Sequence, residues 1–189
     1  GHHYQREDVI EFSDIQGDSF LLSKLAAETK DAEIIVFCGV HFMAETAEIL
    51  SSSKQKVILP NMAAGCSMAD MATSKDVVRS WKQINEMLSS KSSKKPVIPV
   101  TYMNSAASIK SLCGENNGIV CTSSNANQAF EWAYKRGERI LFIPDQHLGR
   151  NTAVKFGIKK SEMVIWDPYK SNGGLSKDEL ENSKIILWK

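Results

Sequence analysis

A cysteine in a loop of small residues is the first candidate for chemistry in this sequence. Cys66 lies in residues 61–70, which follow the short apolar run 57–60. Small residues let a backbone approach a bulky group closely, and open α/β sheets bind ligands at the carboxyl ends of their strands. We interpret Cys66 as one ligand of an iron–sulfur cluster. The stretch alone does not establish this, because a single cysteine is more often a small buried hydrophobic residue.

Further polar side chains fall where predicted strands end and predicted helices begin. Ser19 and Ser123 each precede a helix, where free N–H groups and the helix dipole favour carboxylates or phosphates. Both serines also suit the ordinary role of an N-cap. The whole set of strand-end candidates is His2, Tyr4, Asp18, Ser19, Cys66, Tyr102, Asn104, Ser123, Asn125, Asp145 and His147.

Some of these candidates have simpler interpretations. Tyr4 and Tyr102 are compatible with half-buried ring packing. His147 beside Asp145 suits a metal site, although a loop hydrogen bond is the commoner arrangement. The residues alone therefore indicate an α/β protein with anion-binding loops and one suggestive cysteine.

Composition excludes several classes of protein. The 189 residues are 42% hydrophobic and carry a net charge of +1, so a globular core is expected and nothing indicates nucleic-acid or anionic-membrane binding. The apolar runs are too short to span a bilayer. Four cysteines without a secretory signal suggest reduced thiols in the cytoplasm, and the absence of a C-x-x-C pair argues against a zinc ribbon.

Strands and helices alternate along the chain, which predicts parallel sheets with right-handed crossovers. The run 34–38 is continuously apolar, as expected for a strand covered on both faces. Residues 145–149 are predicted as a loop, and 89–95 as a polar helix–strand connection. The predicted strands are 34–38, 57–60, 97–102, 118–121, 140–144, 163–166 and 185–188; the predicted helices are 6–12, 20–30, 42–50, 71–88, 106–113, 126–135 and 151–156, with a capping box at Ser176 and Glu179.

The sequence also contains an internal similarity. Val36 and Val120 are 84 positions apart, as are Pro60 and Pro144, and apolar runs surround all four residues. We interpret this as two copies of one α/β module, although two such units can look alike by chance. The predicted domains are residues 1–72, which carry the Cys66 loop, and residues 73–189.

Several separated motifs together resemble the quinolinate synthase (NadA) family. They occur in the family's order and span nearly the whole chain. The motifs are GHHYQ at 1–5, GDS at 17–19, GVHFMAE at 39–45, GCSM at 65–68, TYMNS at 101–105, CTSSNA at 121–126 and PDQHLGRNT at 144–152.

The resemblance implies a fold and a cofactor. The family has three similar α/β/α modules around a pseudo-threefold axis, each giving one cysteine to a single [4Fe–4S] cluster. Cys66 matches the first ligand, and the sequence does not contain the other two. We therefore expect a fragment with roughly two of three modules, inactive alone and without a stable cluster. Cys38, Cys113 and Cys121 match no ligand and are assigned as structural.

The resemblance also implies a reaction. The family is a transferase that condenses iminoaspartate with dihydroxyacetone phosphate to quinolinate, in de novo NAD biosynthesis, with an open cluster iron as Lewis acid. Functional coupling to the enzyme that makes iminoaspartate is a further implication. Substrate-binding roles fall on His2, Ser19, Tyr102, Asn104 and Ser123, and proton-transfer roles on Tyr4 and Tyr102. The alternative is a cluster-free α/β module that binds a phosphorylated metabolite without needing Cys66.

Overall fold

The computed structural model describes residues 1–89 and 96–189, so most of the predicted 89–95 connection lies outside the described residues. The chain divides into two compact units, Gly1–Ser67 and Met68–Lys189. This division lies five residues before the domain boundary that the sequence predicts after residue 72. None of the described helices is both long and apolar enough to cross a membrane.

Unit 1 (Gly1–Ser67) is built around a short parallel strand pair. Strands β1 and β2 pair in register from Ile34↔Lys56 to Val36↔Ile58, and an isolated parallel bridge joins His2 to Gly17. Helices α2 and α3 pack on each other and bury Leu22, Phe42 and Ala47. The elements are α1 (Glu7–Ile10), α2 (Ser19–Glu28), β1 (Ile34–Val36), α3 (His41–Leu50) and β2 (Lys56–Ile58).

The prediction that residues 34–38 form a strand covered on both faces is wrong for this unit. The strand is shorter, and the side chains of Ile34 and Val36 are each 58% exposed. Alternate strand residues point to opposite faces, and within unit 1 one of those faces has no covering layer. An open cavity of about 780 Å³ lies against β1, with Phe12 among its apolar lining residues.

Unit 2 (Met68–Lys189) contains a five-stranded parallel sheet in the order β4-β3-β5-β7-β6. Its strands are β3 (Val97–Tyr102), β4 (Ile119–Cys121), β5 (Arg139–Ile143), β6 (Met163–Trp166) and β7 (Ile185–Trp188). Its helices are α4 (Ser74–Leu88), α5 (Ala107–Glu115), α6 (Ala126–Tyr134), α7 (Gln146–Lys155) and α8 (Lys177–Asn182), with short 3₁₀ turns at Ala69–Met71, Lys160–Glu162 and Ser171–Gly174.

Two apolar clusters flank this sheet, one on each face. On β5, Leu141 and Ile143 belong to the cluster that also contains residues of α4, α5 and α8, whereas Ile140 and Phe142 belong to the cluster with residues of α6 and α7. This alternation is the period-two pattern of a strand buried on both sides. The unit is therefore a three-layer α/β/α arrangement, which confirms the predicted fold class.

One predicted loop in unit 2 is wrong. Residues 145–149 were expected to be irregular, but α7 begins at Gln146. Asp145 is the N-cap, and its carboxylate accepts hydrogen bonds from the N–H groups of His147 (2.5 Å) and Leu148 (3.4 Å). Gly149 suggests a loop from sequence, yet it lies inside the helix, where it allows close contact with Phe142.

The internal similarity has a partial structural counterpart. Strand–helix–strand segments occur at both predicted positions, as β1–α3–β2 and as β4–α6–β5. Their sheet orders differ, because β1 pairs directly with β2 whereas β3 lies between β4 and β5.

Candidate functional site

His2 is held in unit 1 by backbone and side-chain contacts. Its backbone N–H donates to the carbonyl of Cys38 at 2.8 Å, which anchors it to the end of β1. The residue is only 3% exposed. Its Nδ1 accepts the backbone N–H of Tyr4 at 3.2 Å, and its Nε2 lies 3.4 Å from the hydroxyl of Ser19.

These contacts select one form of the imidazole. Because Nδ1 accepts a hydrogen bond, the proton of the neutral ring lies on Nε2. Burial, assisted by repulsion from His3, lowers the pKa of His2 below its ordinary value of 6.5. At neutral pH the ring is therefore uncharged and presents an Nε2–H donor next to Ser19.

The lowered pKa predicts how the stability of the chain depends on pH. The unfolded state takes up a proton near pH 6.5, whereas folded His2 resists protonation until a lower pH. The free energy of unfolding is therefore expected to fall as the pH drops below 6.5. The measurement is chemical unfolding at pH 7.5, 6.5 and 5.5.

The control for this prediction is His2→Asn, whose amide oxygen can still accept the Tyr4 N–H but does not titrate. We expect a smaller fall in stability with pH for this variant. An identical pH dependence in both proteins would contradict the assignment.

Ser19 is not the cap of α2, although the sequence left that role open. Asp18 is the N-cap, and its side chain accepts the N–H of Leu21 at 3.0 Å. The carbonyl of Ser19 accepts the hydroxyl of Ser23 at 2.9 Å. The Ser19 hydroxyl is therefore not required for capping and lies in the first turn of the helix beside His2.

Tyr4 is not packed into the protein. Tyr4 is 84% exposed, so the interpretation of its ring as half-buried packing is wrong. The centroid of the Tyr4 ring lies 4.7 Å from the ring centroid of His2 and 4.7 Å from the ring centroid of His3. The phenol is thus on the surface of unit 1 beside the imidazole.

The Cys66 loop is ordered by hydrogen bonds within the loop and to the start of α3. The side-chain oxygen of Asn61 accepts the N–H of Ala63 at 2.9 Å, and the backbone carbonyl of Asn61 accepts the N–H of Ala64 at 3.0 Å. The carbonyl of Ala64 in turn accepts the N–H of His41, at the start of α3, at 2.8 Å. Sequence reasoning assigned no role to His41, and the contact of His41 with the Cys66 loop uses only its backbone N–H.

Cys66 suits the role of one cluster ligand among several. It is half-buried in this loop, so its thiol is not enclosed in a core. Cys113 and Cys121 are buried, and burial raises the pKa of each thiol to about 12, which disfavours the thiolate. Within residues 1–89 and 96–189, no three His, Cys, Asp or Glu side chains are grouped to hold a metal ion.

In unit 2, Tyr102 is the last residue of β3 and Asn104 lies in the bend that follows. The Met103 N–H donates to the carbonyl of Cys121 at 2.8 Å, which continues the pairing with β4. The buried hydroxyls of Thr101 and Ser105 hydrogen-bond each other at 3.0 Å, and Ser105 donates to the Tyr102 carbonyl at 2.8 Å. The Asn104 Oδ1 is buried and has no hydrogen-bond partner among the described residues.

Ser123 lies at the neighbouring strand end and is exposed. It is not the cap of α6, because Asn125 occupies the N-cap position. The Asn125 carboxamide instead accepts the N–H of Thr122 at 2.7 Å. Because Tyr102 pairs with Cys121 across β3 and β4, unit 2 brings Tyr102, Asn104 and Ser123 to one edge of its sheet.

The predicted site residues are therefore divided between the two units. Unit 1 brings His2, Tyr4 and Ser19 together and also carries Cys66.

At the edge of unit 2, one feature was missed by sequence reasoning. Asp145 has a buried Oδ2 without a partner in the described part of the chain. The predicted hydrogen bond between Asp145 and His147 joins the His147 backbone N–H to the Asp145 carboxylate, and His147 itself is exposed.

Comparison with known proteins identifies the family. The model of the quinolinate synthetase A protein (NadA) family matches residues 1–189. The chain belongs to this family. It is 56% identical over 189 residues to quinolinate synthase of Acidobacterium capsulatum, 53% identical over 190 residues to that of Streptomyces coelicolor and 55% identical over 188 residues to that of Corynebacterium glutamicum.

These comparisons confirm the resemblance seen in the motifs. All of this chain is covered in each, but only 50%, 47% and 47% of the three relatives. The chain thus spans about half the length of the curated quinolinate synthases that it matches.

Proposed function

We propose that this chain is part of a quinolinate synthase, which condenses iminoaspartate with dihydroxyacetone phosphate to quinolinate in the cytoplasm, for NAD biosynthesis. The observation that carries the proposal is the match of all 189 residues to the family. The overall reaction releases one phosphate and two waters. It balances without an oxidant or a reductant, so its difficult steps are proton transfers and dehydrations.

The side chains of unit 1 suit the anionic substrates. The neutral His2 ring presents an Nε2–H donor, and Ser19 adds a hydroxyl at the start of α2. Together with the positive end of the helix dipole they favour a carboxylate or a phosphate. Tyr4 is exposed beside them, and its phenol is our candidate for moving a proton on bound substrate.

Unit 2 supplies a second set of polar groups. Ser123 and Tyr102 contribute hydroxyls, and the Asn104 amide lies in a turn fixed by the Thr101–Ser105 pair. Such a preorganised edge suits substrate orientation, because the groups pay little entropy on binding. The phenol of Tyr102 is also a proposed proton-transfer group, as is that of Tyr4.

Cys66 would hold a [4Fe–4S] cluster as one of several ligands. A cluster with one open iron supplies a Lewis acid that assists loss of hydroxide. The substrate iminoaspartate also suggests functional coupling to the enzyme that produces it.

The test is anaerobic expression of the full-length gene product, followed by assay of quinolinate from the two substrates. The matched variant is Ser19→Ala, which keeps the Asp18 cap. We expect an apparent KM increased about 10-fold, since a hydrogen bond to a charged group contributes about 1.5–3 kcal/mol, with an unchanged thermal midpoint. A wild-type protein that forms no quinolinate, or one that binds a phosphorylated metabolite without a cluster, would contradict the proposal.

A further inference from the structure

Asp145 is a buried carboxylate that is only half satisfied. The residue is 2% exposed. Its Oδ1 accepts the N–H groups of His147 and Leu148 at the start of α7, whereas its Oδ2 is buried and accepts nothing from the described residues. Capping explains one oxygen and leaves the other without a role.

An unpaired oxygen at this position needs a donor. Burying a carboxylate oxygen without a hydrogen bond is costly, and native structures satisfy such atoms with water or a bound ligand. The ten-residue helix α7 offsets part of the charge through its dipole, but a dipole does not replace the missing hydrogen bond.

A second buried acceptor lies on the adjacent strand. The pairing of β3 with β5 ends at Thr101 opposite Ile143, so Asn104 and Asp145 each follow the carboxyl end of one of these two adjacent strands. The Asn104 Oδ1, like the Asp145 Oδ2, is buried without a partner among the residues described. The carboxyl ends of parallel strands meet at one edge of a sheet, so both acceptors belong to the same edge.

We propose that Asp145 is a further substrate-binding residue of unit 2, with its Oδ2 accepting a hydrogen bond from an N–H or O–H group of the ligand contacted by Asn104. This rests on the function proposed above. The buried Asp145 carboxylate repels the carboxylates and phosphate of a substrate and selects a part that bears a hydrogen-bond donor. That part is the imine or enamine nitrogen of iminoaspartate or the hydroxyl of dihydroxyacetone phosphate.

The simpler role of Asp145 is to cap α7 alone. Asp145→Asn separates the two roles, because Asn is as good an N-cap as Asp but places an NH₂ donor where the second oxygen was. Asp145→Ser also keeps a cap and removes that oxygen. The control is Asp167→Asn, a buried carboxylate at the end of β6 whose oxygens both have partners, Lys189 and the N–H of Tyr169.

The experiment uses the full-length protein. Quinolinate formation is measured with each substrate varied in turn, with iminoaspartate generated in situ. Thermal midpoints are recorded with and without dihydroxyacetone phosphate, a readout that does not require turnover. We expect Asp145→Asn to raise the apparent KM for one substrate about 10-fold while the ligand-free midpoint changes little, with Asp145→Ser intermediate and Asp167→Asn unchanged in KM.

Each outcome decides the proposal. The substrate whose KM rises identifies the source of the donor, and a smaller shift of the midpoint by dihydroxyacetone phosphate points to its hydroxyl. If the enzyme is active and both Asp145 variants have unchanged KM values, this inference alone is overturned, whether or not the thermal midpoint falls. Asp145 would then act only as the N-cap of α7. A wild-type protein that forms no quinolinate overturns the proposed function and this inference with it.

Discussion

Replacing Cys66 by Ala in the full-length protein is expected to remove the brown colour of an iron–sulfur protein and to lower quinolinate synthesis at least about 100-fold. The reason is geometric. Cys66 is half-buried in an ordered loop tied to α3, and alanine has no atom that can replace its sulfur. Visible absorption, protein-bound iron and activity are measured on anaerobically purified protein.

The matched control is Cys38→Ala. Cys38 is also half-buried in unit 1, but its known contact is through its backbone carbonyl, which accepts the N–H of His2 and survives the change. We expect this variant to keep its colour, iron content and most of its activity. Retention of a full cluster in Cys66→Ala, or its loss in Cys38→Ala, would show that the ligand is assigned to the wrong cysteine.

The sheet of unit 2 was largely predictable from sequence. Strands β3, β6 and β7 have the predicted limits, and β6 and β7 are apolar runs bounded on both sides by charged residues. The capping box of α8 is also confirmed, with Ser176 and Glu179 each accepting the other's backbone N–H. Local patterns are sufficient for β3 and β7, which are buried, and also for the partly exposed edge strand β6.

The errors occur where tertiary contacts decide. Apolar sequence predicted a covered strand at Ile34, but burial depends on which layers surround the strand, and in unit 1 one face is open. Gly149 indicated a loop, yet it allows α7 to lie close to the sheet. Strand order cannot be predicted locally either. Nothing in the sequences of β1 and β2, or of β4 and β5, indicates that the first two are adjacent in a sheet whereas β3 lies between the other two.

The candidate site was predictable in residue type but not in role. Sequence placed Ser19 and Asp18 together at the start of a helix, and only the structure shows that Asp18 is the cap. The roles of His2, Asn104 and Ser123 stay predictions carried by the family's motifs. The orphaned oxygen of Asp145 had no signal in the sequence, because an N-cap aspartate looks the same whether or not its second oxygen has a partner.

Gly149→Ala is expected to have the largest effect on stability among the changes considered for this chain. Glycine inside a helix normally costs about 0.5–1 kcal/mol relative to alanine, so the simple expectation is stabilisation. A Cβ at Gly149, however, would lie 2.6 Å from Phe142 Cδ1 and 2.8 Å from Leu187 Cδ2. Both of these side chains are fully buried in β5 and β7 and have little room to move.

The overpacking penalty is therefore expected to exceed the gain in helix propensity. Overpacking a core costs about 1–3 kcal/mol, so the free energy of unfolding should fall by up to about 2 kcal/mol, against a rise of about 0.5–1 kcal/mol if propensity alone decided. The matched control is Gly114→Ala in α5, where a Cβ would meet nothing within 4 Å and propensity acts alone. Denaturant unfolding of both variants should give shifts of opposite sign. Stabilisation by both changes would mean that α7 can move away from the sheet, and the position that we assign to Asp145 at the helix start would then no longer be fixed by this contact.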